Sequence, residues 1–337
     1  MNKGRIFRII CGVMIAVIAI ILIQVFVSDD DPNVNVDLDM TVAYADTANW
    51  MGELPDDVYL SELTIPGTHE SAARYVMLGY ALRCQETSIA EQLNNGYRYL
   101  DLHIALDKSN EEHSIKLVRA FGNCHESGNL FSGYIHLNDV TADIYKFLQE
   151  HGKETVIVNF KIDDEDNEKE IQELLAKELQ SNKDYWYTDE EIPTLGDARG
   201  RAVLATRYKD KADTGYVGLN MIWDEQDNTT AVDIPYELYV NDSFRLWVQD
   251  RYNYSVEDKY EAVVDGLENC EADENTFFLN FVSTSGDGKI GHPRGYAKNL
   301  NDLLMEYNFR NNTSYGIIIV DFGDANLARK IYYTNSF

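Results

Sequence analysis

Short apolar runs rich in β-branched residues recur along this chain, and several of them alternate with amphipathic segments. Eight runs have the length of strands: Tyr59–Ile65, Tyr97–His103, Ile115–Arg119, Thr155–Ile162, Arg201–Arg207, Arg245–Asp250, Thr276–Ser283 and Gly316–Phe322. Six segments have helical periodicity: Thr87–Asn95, Asn138–His151, Asn167–Gln180, Val256–Glu268, Tyr296–Tyr307 and Asp324–Tyr332. Largely apolar strands that alternate with helices indicate a parallel sheet covered on its outer face. Eight of them predict an α/β fold, a (β/α)8 barrel of the TIM type.

A polar or charged residue stands at or just after the carboxyl end of every predicted strand. These residues are His69, Asp101 with His103, Arg119, Lys161, Arg207, Asp250, Ser283 and Asp321. Any one of these residues could instead have a purely structural role as one partner of an ion pair. Charges gathered at one end of a barrel are costly unless they are paired, and this end is where such barrels keep their chemistry. The set therefore indicates a functional site.

The first strand leads into the heptapeptide Ile-Pro-Gly-Thr-His-Glu-Ser at Ile65–Ser71. Pro66-Gly67 forces a sharp exit, which presents His69 at the strand end. Imidazole is the side chain best suited to moving protons near neutral pH. His69 is therefore a candidate general base, and a histidine that only caps the turn is the alternative.

Seven segments, in order along the chain, resemble successive motifs of the bacterial phosphatidylinositol-specific phospholipase C family. They are Ile65–Ser71, Tyr97–Leu102, Glu154–Ile162, Leu195–Tyr208, Val248–Tyr252, Asn280–Gly286 and Ile319–Phe322. Members of this family cleave the phosphodiester between diacylglycerol and inositol by attack of the inositol 2-hydroxyl, and the common bacterial form uses no metal. The resemblance implies a metal-independent phosphodiesterase that acts on phosphatidylinositol or a related inositol phosphodiester and forms inositol 1,2-cyclic phosphate.

The resemblance also implies roles for the matching residues. His69 would be the general base, Asp321 would orient its imidazole, and Asp101 would lie beside the phosphate and the leaving group. Lys161, Arg207 and Asp250 would bind the inositol hydroxyls. Asp163 would be a helper carboxylate, and the ring of Tyr252 would form an apolar wall against the sugar.

Two positions depart from the family pattern in a reciprocal way. After the second strand the family usually has Asp-x-Arg, whose arginine stabilises the phosphate, whereas this chain has Asp101-Leu102-His103. After the third strand the family usually has His-Gly, whose histidine is the general acid, whereas this chain has Arg119-Ala120. Because neighbouring strands lie about 5 Å apart, we expect His103 and Arg119 to reach one phosphate and to have exchanged roles.

Other readings remain open. Loss of a general acid usually costs about 10²–10⁴ in rate, so the barrel is alternatively a catalytically silent protein that binds an inositol or sugar headgroup. His125, six residues after Arg119, is a second candidate for the acid, and Glu70 replaces the usual aspartate. A glycerophosphodiesterase would need a metal cluster rich in Glu and Asp at the strand ends, which this chain does not offer.

The N-terminal residues predict a membrane anchor. Three basic residues precede Ile9–Val27, an uncharged stretch long enough to span a bilayer as one helix with its N-terminus in the cytoplasm. Ala43-Tyr44-Ala45 lies too far beyond this stretch for signal peptidase, which favours an uncleaved signal anchor over a secretory signal peptide. We expect an anchor over residues 1–28, an acidic linker over 29–46, and one barrel domain over 47–337 outside the cytoplasm.

The net charge of −28 excludes nucleic acid as a partner and disfavours tight docking on anionic lipid. Contact with a membrane is therefore expected to be brief or hydrophobic. The acidic segments Asp163–Asp166 and Asp184–Glu191 lack the spacing of a calcium loop, so no metal or other cofactor is expected. A monomer is expected.

Cys84, Cys124 and Cys270 lie outside the predicted anchor. Cys84 and Cys124 fall in loops at the same face of the predicted barrel, so a disulfide between them is one expectation in an oxidising compartment. Cys270 would then stay unpaired, although sequence alone leaves the pairing open.

Overall fold

The computed structural model describes residues 47–129, 131–226, 235–286 and 292–335, together with Met14. Apart from Met14, the predicted anchor and linker lie outside these ranges. Across the portion that is described, no helix is both long and apolar enough to cross a bilayer. The anchor therefore stays a prediction.

One sheet of twelve strands organises the described chain. The strands are β1 (Ile65–Thr68), β2 (Tyr99–Asp107), β3 (Ser114–Arg119), β4 (Gly122–Asn123), β5 (Val156–Ile162), β6 (Trp186–Tyr187), β7 (Ala202–Thr206), β8 (Leu219–Asn220), β9 (Glu237–Val240), β10 (Arg245–Gln249), β11 (Thr276–Phe281) and β12 (Ile317–Val320). Eight of them form the parallel wall in the order β8-β7-β5-β2-β1-β12-β11-β10. This arrangement confirms an α/β barrel of the TIM type.

The remaining four strands modify the edges of this wall. β3 runs antiparallel to β2 and continues into β4, β6 extends the edge of β7 beside β8, and β9 runs antiparallel to β10. Within the residues described, no backbone ladder joins β8 to β9 or β10. The Asn241 side-chain amide crosses this opening and donates to the Asn220 carbonyl oxygen over 3.1 Å.

The helices cover the outer face of the wall. They are α1 (Gly79–Leu82), α2 (Ile89–Asn94), α3 (Leu137–Glu150), α4 (Glu168–Ser181), α5 (Leu195–Ala198), α6 (Val256–Asn269), α7 (Pro293–Glu306) and α8 (Ala325–Tyr332). All six helices expected from the periodicity are confirmed to within a few residues. Local chemistry sets their starts: Ser88 and Glu91 form a capping box on α2, and the Asp324 carboxylate caps α8 by accepting from the Leu327 N–H.

Two of the eight predicted strands are wrong as members of the wall. In Tyr59–Ile65 a 3₁₀ turn spans Leu60–Glu62, and the strand begins only at Ile65. Its leucines are apolar because Leu60 and Leu63 close the bottom of the barrel interior, and apolar periodicity does not separate a buried turn from a strand. The run Ile115–Arg119 forms a hairpin with β2 instead.

The core has an inner and an outer layer. Alternate residues such as Tyr99, Ile157 and Val203 fill the barrel interior. Their neighbours Leu100 and Val158 pack with residues of the helices outside. Both faces of the wall are therefore buried, which explains why its strands read as continuous apolar runs.

A fully buried ion pair joins the starts of β2 and β5. Arg98 Nε donates to Glu154 Oε2 over 2.9 Å, and neither side chain is accessible to solvent. The same guanidinium donates to the carbonyl oxygens of Leu93, Tyr97 and Thr47. Arg98 therefore fastens the chain that precedes the barrel to its lower rim.

We expect Arg98→Ala to lower the free energy of unfolding by about 3–5 kcal/mol, because it leaves the Glu154 charge buried without its partner. Urea denaturation followed by circular dichroism measures this. Arg74→Ala is the matched control, since Arg74 pairs with Glu91 at the surface and its loss should cost at most about 1 kcal/mol. Equal losses in the two variants would contradict the assignment.

Candidate active site

The carboxyl ends of the wall strands open into a pocket of about 280 Å³. Nine of the ten site residues expected from the sequence line it: His69, Asp101, His103, Arg119, Lys161, Arg207, Asp250, Tyr252 and Asp321. The tenth, Asp163, lies behind the lining, with its carboxylate 2.8 Å from His103 Nδ1 and 3.5 Å from Lys161 Nζ. The structure thus brings all ten residues together.

The pairing of β1 with β12 aligns His69 with Asp321. Thr68 pairs with Val320, and the backbone N–H of His69 extends this ladder by donating to the Val320 carbonyl oxygen over 3.0 Å. The two side chains then meet, with His69 Nδ1 2.8 Å from Asp321 Oδ1. Because Nδ1 is occupied, Nε2 is the ring nitrogen available to a substrate.

Electrostatics favour the charged form of this histidine. Burial acts to lower the pKa of His69, but the charge and the hydrogen bond of Asp321 outweigh it, so the pKa lies well above the ordinary range. The Gln85 side-chain amide holds the backbone by donating to the His69 carbonyl oxygen over 2.7 Å. The Asp321 carboxylate therefore orients the His69 imidazole and favours its protonated form.

Arg207 and Asp250 form a second charged group in the lining of the pocket. The Arg207 guanidinium lies 3.7 Å above the Trp223 ring and 3.7 Å from Asp250 Oδ2. Trp223 Nε1 donates to the same Asp250 oxygen over 3.0 Å. This packing fixes both charges in place, which suits them to bind the hydroxyl groups of a polyol.

Glu225 is a pocket residue that the sequence analysis missed. Its carboxylate lies 3.5 Å from Lys161 Nζ and 3.8 Å from Arg207, and it accepts from the Tyr252 hydroxyl over 3.3 Å. Burial acts to raise the pKa of Glu225, but the two cations outweigh it and the pKa lies below its usual value. Glu225 and Trp223 closely follow β8, a strand of two residues whose apolar neighbours are interrupted by Gly218 and Asn220 and are not among the eight predicted strands.

His103 and Arg119 reach the same pocket and share one carboxylate. Glu70 Oε1 accepts from Arg119 over 2.9 Å and lies 3.1 Å from His103 Nδ1. Burial acts to raise the pKa of Asp163, but the hydrogen bond to His103 and the charge of Lys161 bring it to about 2. His103 is thus held among carboxylates while its Nε2 lies 3.7 Å from Asp101 Oδ1.

The expected route of Arg119 to the pocket is corrected. It was expected at the end of a third wall strand, but it reaches the pocket from the antiparallel hairpin of β3 with β2. Glu70 and Ala120 both have positive φ, near +45° and +50°, where the chain turns sharply beside the pocket. His125, the alternative acid, lies apart from this pocket with its ring against Tyr134.

The expected disulfide is also corrected. Cys84 and Cys124 are both buried and both carry free thiols, as does the half-buried Cys270. Cys84 instead lies behind His69, where it contributes to the surroundings of the base.

We expect the His69 pKa to fall when Asp321→Asn removes the carboxylate, because burial then acts without an opposing charge. Titration of the His69 ring protons by NMR measures the shift. His113 is exposed and pairs with Glu170, so its titration should not change. His113→Ala assigns the His113 resonance, which then serves as the control. Since the folded pKa is raised, the pair stabilises the fold fully below the unfolded pKa and loses this effect as the pH rises through the folded value. An unchanged His69 titration would contradict the coupling.

Comparison with known proteins agrees with this geometry. Residues 65–208 match the model of the family described as phosphatidylinositol-specific phospholipase C, X domain. The 1-phosphatidylinositol phosphodiesterase of Listeria monocytogenes is 27% identical over 311 residues, which cover 86% of each chain. The protein of the same name from Staphylococcus aureus strain Newman is 25% identical over 292 residues, 81% of this chain and 88% of that one.

Solved structures of such proteins share the fold. A phosphatidylinositol-specific phospholipase C from Staphylococcus aureus superimposes with a TM-score of 0.69 at 22% identity, covering 86% of this chain and 98% of that chain. The Listeria monocytogenes enzyme gives 0.63 at 25% identity, covering 86% and 99%. The resemblance to the bacterial phosphatidylinositol-specific phospholipase C family is thereby confirmed.

Proposed function

We propose that this barrel cleaves phosphatidylinositol, or a closely related inositol phosphodiester, into inositol 1,2-cyclic phosphate and diacylglycerol. The observation that carries the proposal is the position of the His69–Asp321 pair in one pocket with Lys161, Arg207 and Asp250. An oriented base and a fixed ring of polyol-binding charges are what an attack by a sugar hydroxyl requires. The names of the relatives support the substrate class.

The reaction begins with His69. Its Nε2 removes the proton of the inositol 2-hydroxyl as that oxygen bonds to phosphorus, and Asp321 stabilises the imidazolium that forms. The bond from phosphorus to the diacylglycerol oxygen breaks, and this oxygen takes up a proton. Three cationic side chains of the protein line the pocket and would stabilise the negative charge on the phosphate: Arg119, Lys161 and Arg207.

The exchanged pair supplies the remaining roles in this proposal. His103 donates the proton to the leaving oxygen, and Arg119 stabilises the phosphate charge. Their shared contact with Glu70 supports the exchange, because the carboxylate that orients Arg119 also lies against His103. A silent barrel is the competing proposal, favoured by the absence of the usual Arg and His at these two positions.

We propose that the N-terminal apolar stretch tethers the barrel outside the cytoplasm and that the pocket rim contacts the lipid surface transiently. Two phenylalanines of the segment after β3, Phe121 and Phe131, are 71% and 91% exposed. Tyr80 is also exposed, and it directly precedes Ala81, a residue that lines the pocket. Apolar contact suits an acidic protein that gains little from anionic lipid.

We expect His69→Ala to abolish release of diacylglycerol from phosphatidylinositol vesicles while circular dichroism shows an intact fold. Asp321→Asn should lower the rate by about 10²–10⁴-fold, because the base loses its orienting carboxylate. His113→Ala is the matched control and should keep the parent rate, since His113 pairs with Glu170 at the surface. Unchanged turnover by His69→Ala would overturn the assigned base.

The proton donor is tested with two substrates that differ in their leaving group. We expect His103→Ala to slow cleavage of the diacylglycerol ester far more than cleavage of an aryl ester, because an acidic phenol needs little protonation. Arg119→Ala should slow both substrates by a similar factor, since it removes transition-state charge rather than a proton. Equal sensitivity of the two substrates to His103→Ala would reject the general-acid role.

The silent-barrel alternative has its own signature. If no variant or parent turns over phosphatidylinositol while calorimetry detects myo-inositol binding that Arg207→Ala removes, then the pocket is a headgroup receptor. The double change His103→Arg with Arg119→His restores the usual family residues. We expect the double variant to remain active, and a large gain in rate over an inactive parent would identify the present pair as decayed.

A further inference from the structure

A buried thiol lies behind the proposed catalytic base and, with two neighbouring side chains, forms a cluster of three potential metal ligands. Cys84 Sγ, one ring nitrogen of His69 and one carboxylate oxygen of Asp321 all lie within 4.8 Å of one another. Cys84 is fully buried and Asp321 nearly so, while His69 is partly open to the pocket. The proposed reaction uses the imidazole and the carboxylate but makes no use of the thiol.

We propose that His69, Cys84 and Asp321 form an inhibitory binding site for a thiophilic divalent cation such as Zn²⁺. Imidazole nitrogen, thiolate sulfur and carboxylate oxygen are the three donor types that zinc takes in proteins. Catalytic zinc sites usually have three protein ligands and leave the fourth coordination position to water or substrate.

The geometry needs only a small adjustment. Zinc holds nitrogen and oxygen at about 2.0–2.2 Å and sulfur at about 2.3 Å. His69 Nδ1 and Asp321 Oδ1, 2.8 Å apart, are already close enough to share one ion. The Cys84 sulfur lies within 4.8 Å of the ligand atoms of His69 and Asp321, so it has to move closer to them to share the ion.

The backbone around Cys84 is firmly placed for this role. Its N–H donates to the Ala73 carbonyl oxygen over 3.0 Å, and its carbonyl oxygen accepts from the Phe322 N–H over 2.8 Å. The second contact ties Cys84 to the residue directly after Asp321. Two of the three ligands are therefore held to each other through the main chain.

The charges balance when the cation binds. The thiol proton of Cys84 and the proton shared by His69 and Asp321 leave to solvent, so a thiolate and a carboxylate neutralise the two positive charges of the ion. No group is oxidised or reduced. Arg119 also lies near Cys84, but its charge is offset by Glu70 at 2.9 Å.

Binding at Nδ1 would separate His69 from Asp321 and leave the proton of the neutral imidazole on Nε2, the atom that must accept the proton of the 2-hydroxyl. A cation at this site would therefore stop the proposed phosphodiesterase reaction rather than assist it. This consequence rests on the proposed function, whereas binding of the cation does not. The test accordingly has one readout without turnover and one with it.

Cobalt reports the binding directly, because Co²⁺ replaces zinc and gives a sulfur-to-metal charge-transfer band. We expect this band when Co²⁺ is added to the protein with reduced thiols, and we expect Cys84→Ser to lose it. Cys270→Ser is the matched control and should keep it. His69→Ala should weaken cobalt binding by more than the about 10–100-fold that the loss of an outer-shell partner costs, which tests the site independently if Cys84→Ser fails to fold. No band in the parent protein, or the same band in Cys84→Ser, overturns the proposal.

Turnover gives the second readout. Zn²⁺ should inhibit phosphatidylinositol cleavage, a chelator should restore it, and Mg²⁺ should have no such effect because it avoids thiolate. With inhibition measured against each variant's own uninhibited rate, Cys84→Ser should raise the inhibitory zinc concentration by more than the about 10–100-fold typical of an outer-shell change, and Cys270→Ser should not. Normal turnover without a cobalt band rejects this site and leaves the proposed function standing, whereas a band without turnover does the reverse.

Discussion

The register between β1 and β12 is the constraint on which the site depends. Ile65 pairs with Ile317 and Thr68 with Val320, so the next position on each strand is His69 on one and Asp321 on the other. A slip of one residue would send the histidine to the opposite face of the sheet and break the pair. The apolar side chains that set this register, Ile65 and Ile317 among them, are fully buried in the barrel interior. Packing of the core thus determines the chemistry at the rim.

A second constraint is the pairing of charge in a small pocket. Three carboxylates in or beside it each have a basic or imidazole partner: Asp321 has His69, Asp163 has His103, and Glu70 has Arg119. Such pairs are costly to bury and costlier still to break. A polyol phosphodiester offers both hydroxyl groups and negative charge, so it can replace water against this mixed surface. The same pairing explains how an acidic protein keeps a site for a phosphate.

The sequence predicted most of the site because its chemistry follows strand ends. His69, Lys161, Arg207 and Asp250 stand at or just after the end of a wall strand, and six of the eight predicted strands are correct wall strands. Asp101 lies inside β2 instead, because β2 continues to Asp107 in its hairpin with β3. Glu225 was not predicted, because β8 spans only Leu219–Asn220 and the apolar residues around it are interrupted by Gly218 and Asn220. The hairpin of β3 was misplaced because a strand's sequence does not tell whether its partner runs parallel or antiparallel. Spacing likewise could not show that Cys84 lies beside His69.

The central claim is that the protein performs the attack on phosphorus with its own side chains and the substrate's 2-hydroxyl. Phosphorus-31 NMR of phosphatidylinositol in detergent micelles, with the protein and an excess of chelator, tests it most directly. The account predicts that the diester signal is replaced by that of inositol 1,2-cyclic phosphate, whose five-membered ring moves the resonance well downfield. Persistence of the phosphatidylinositol signal, or direct appearance of a phosphomonoester without the cyclic product, would contradict it.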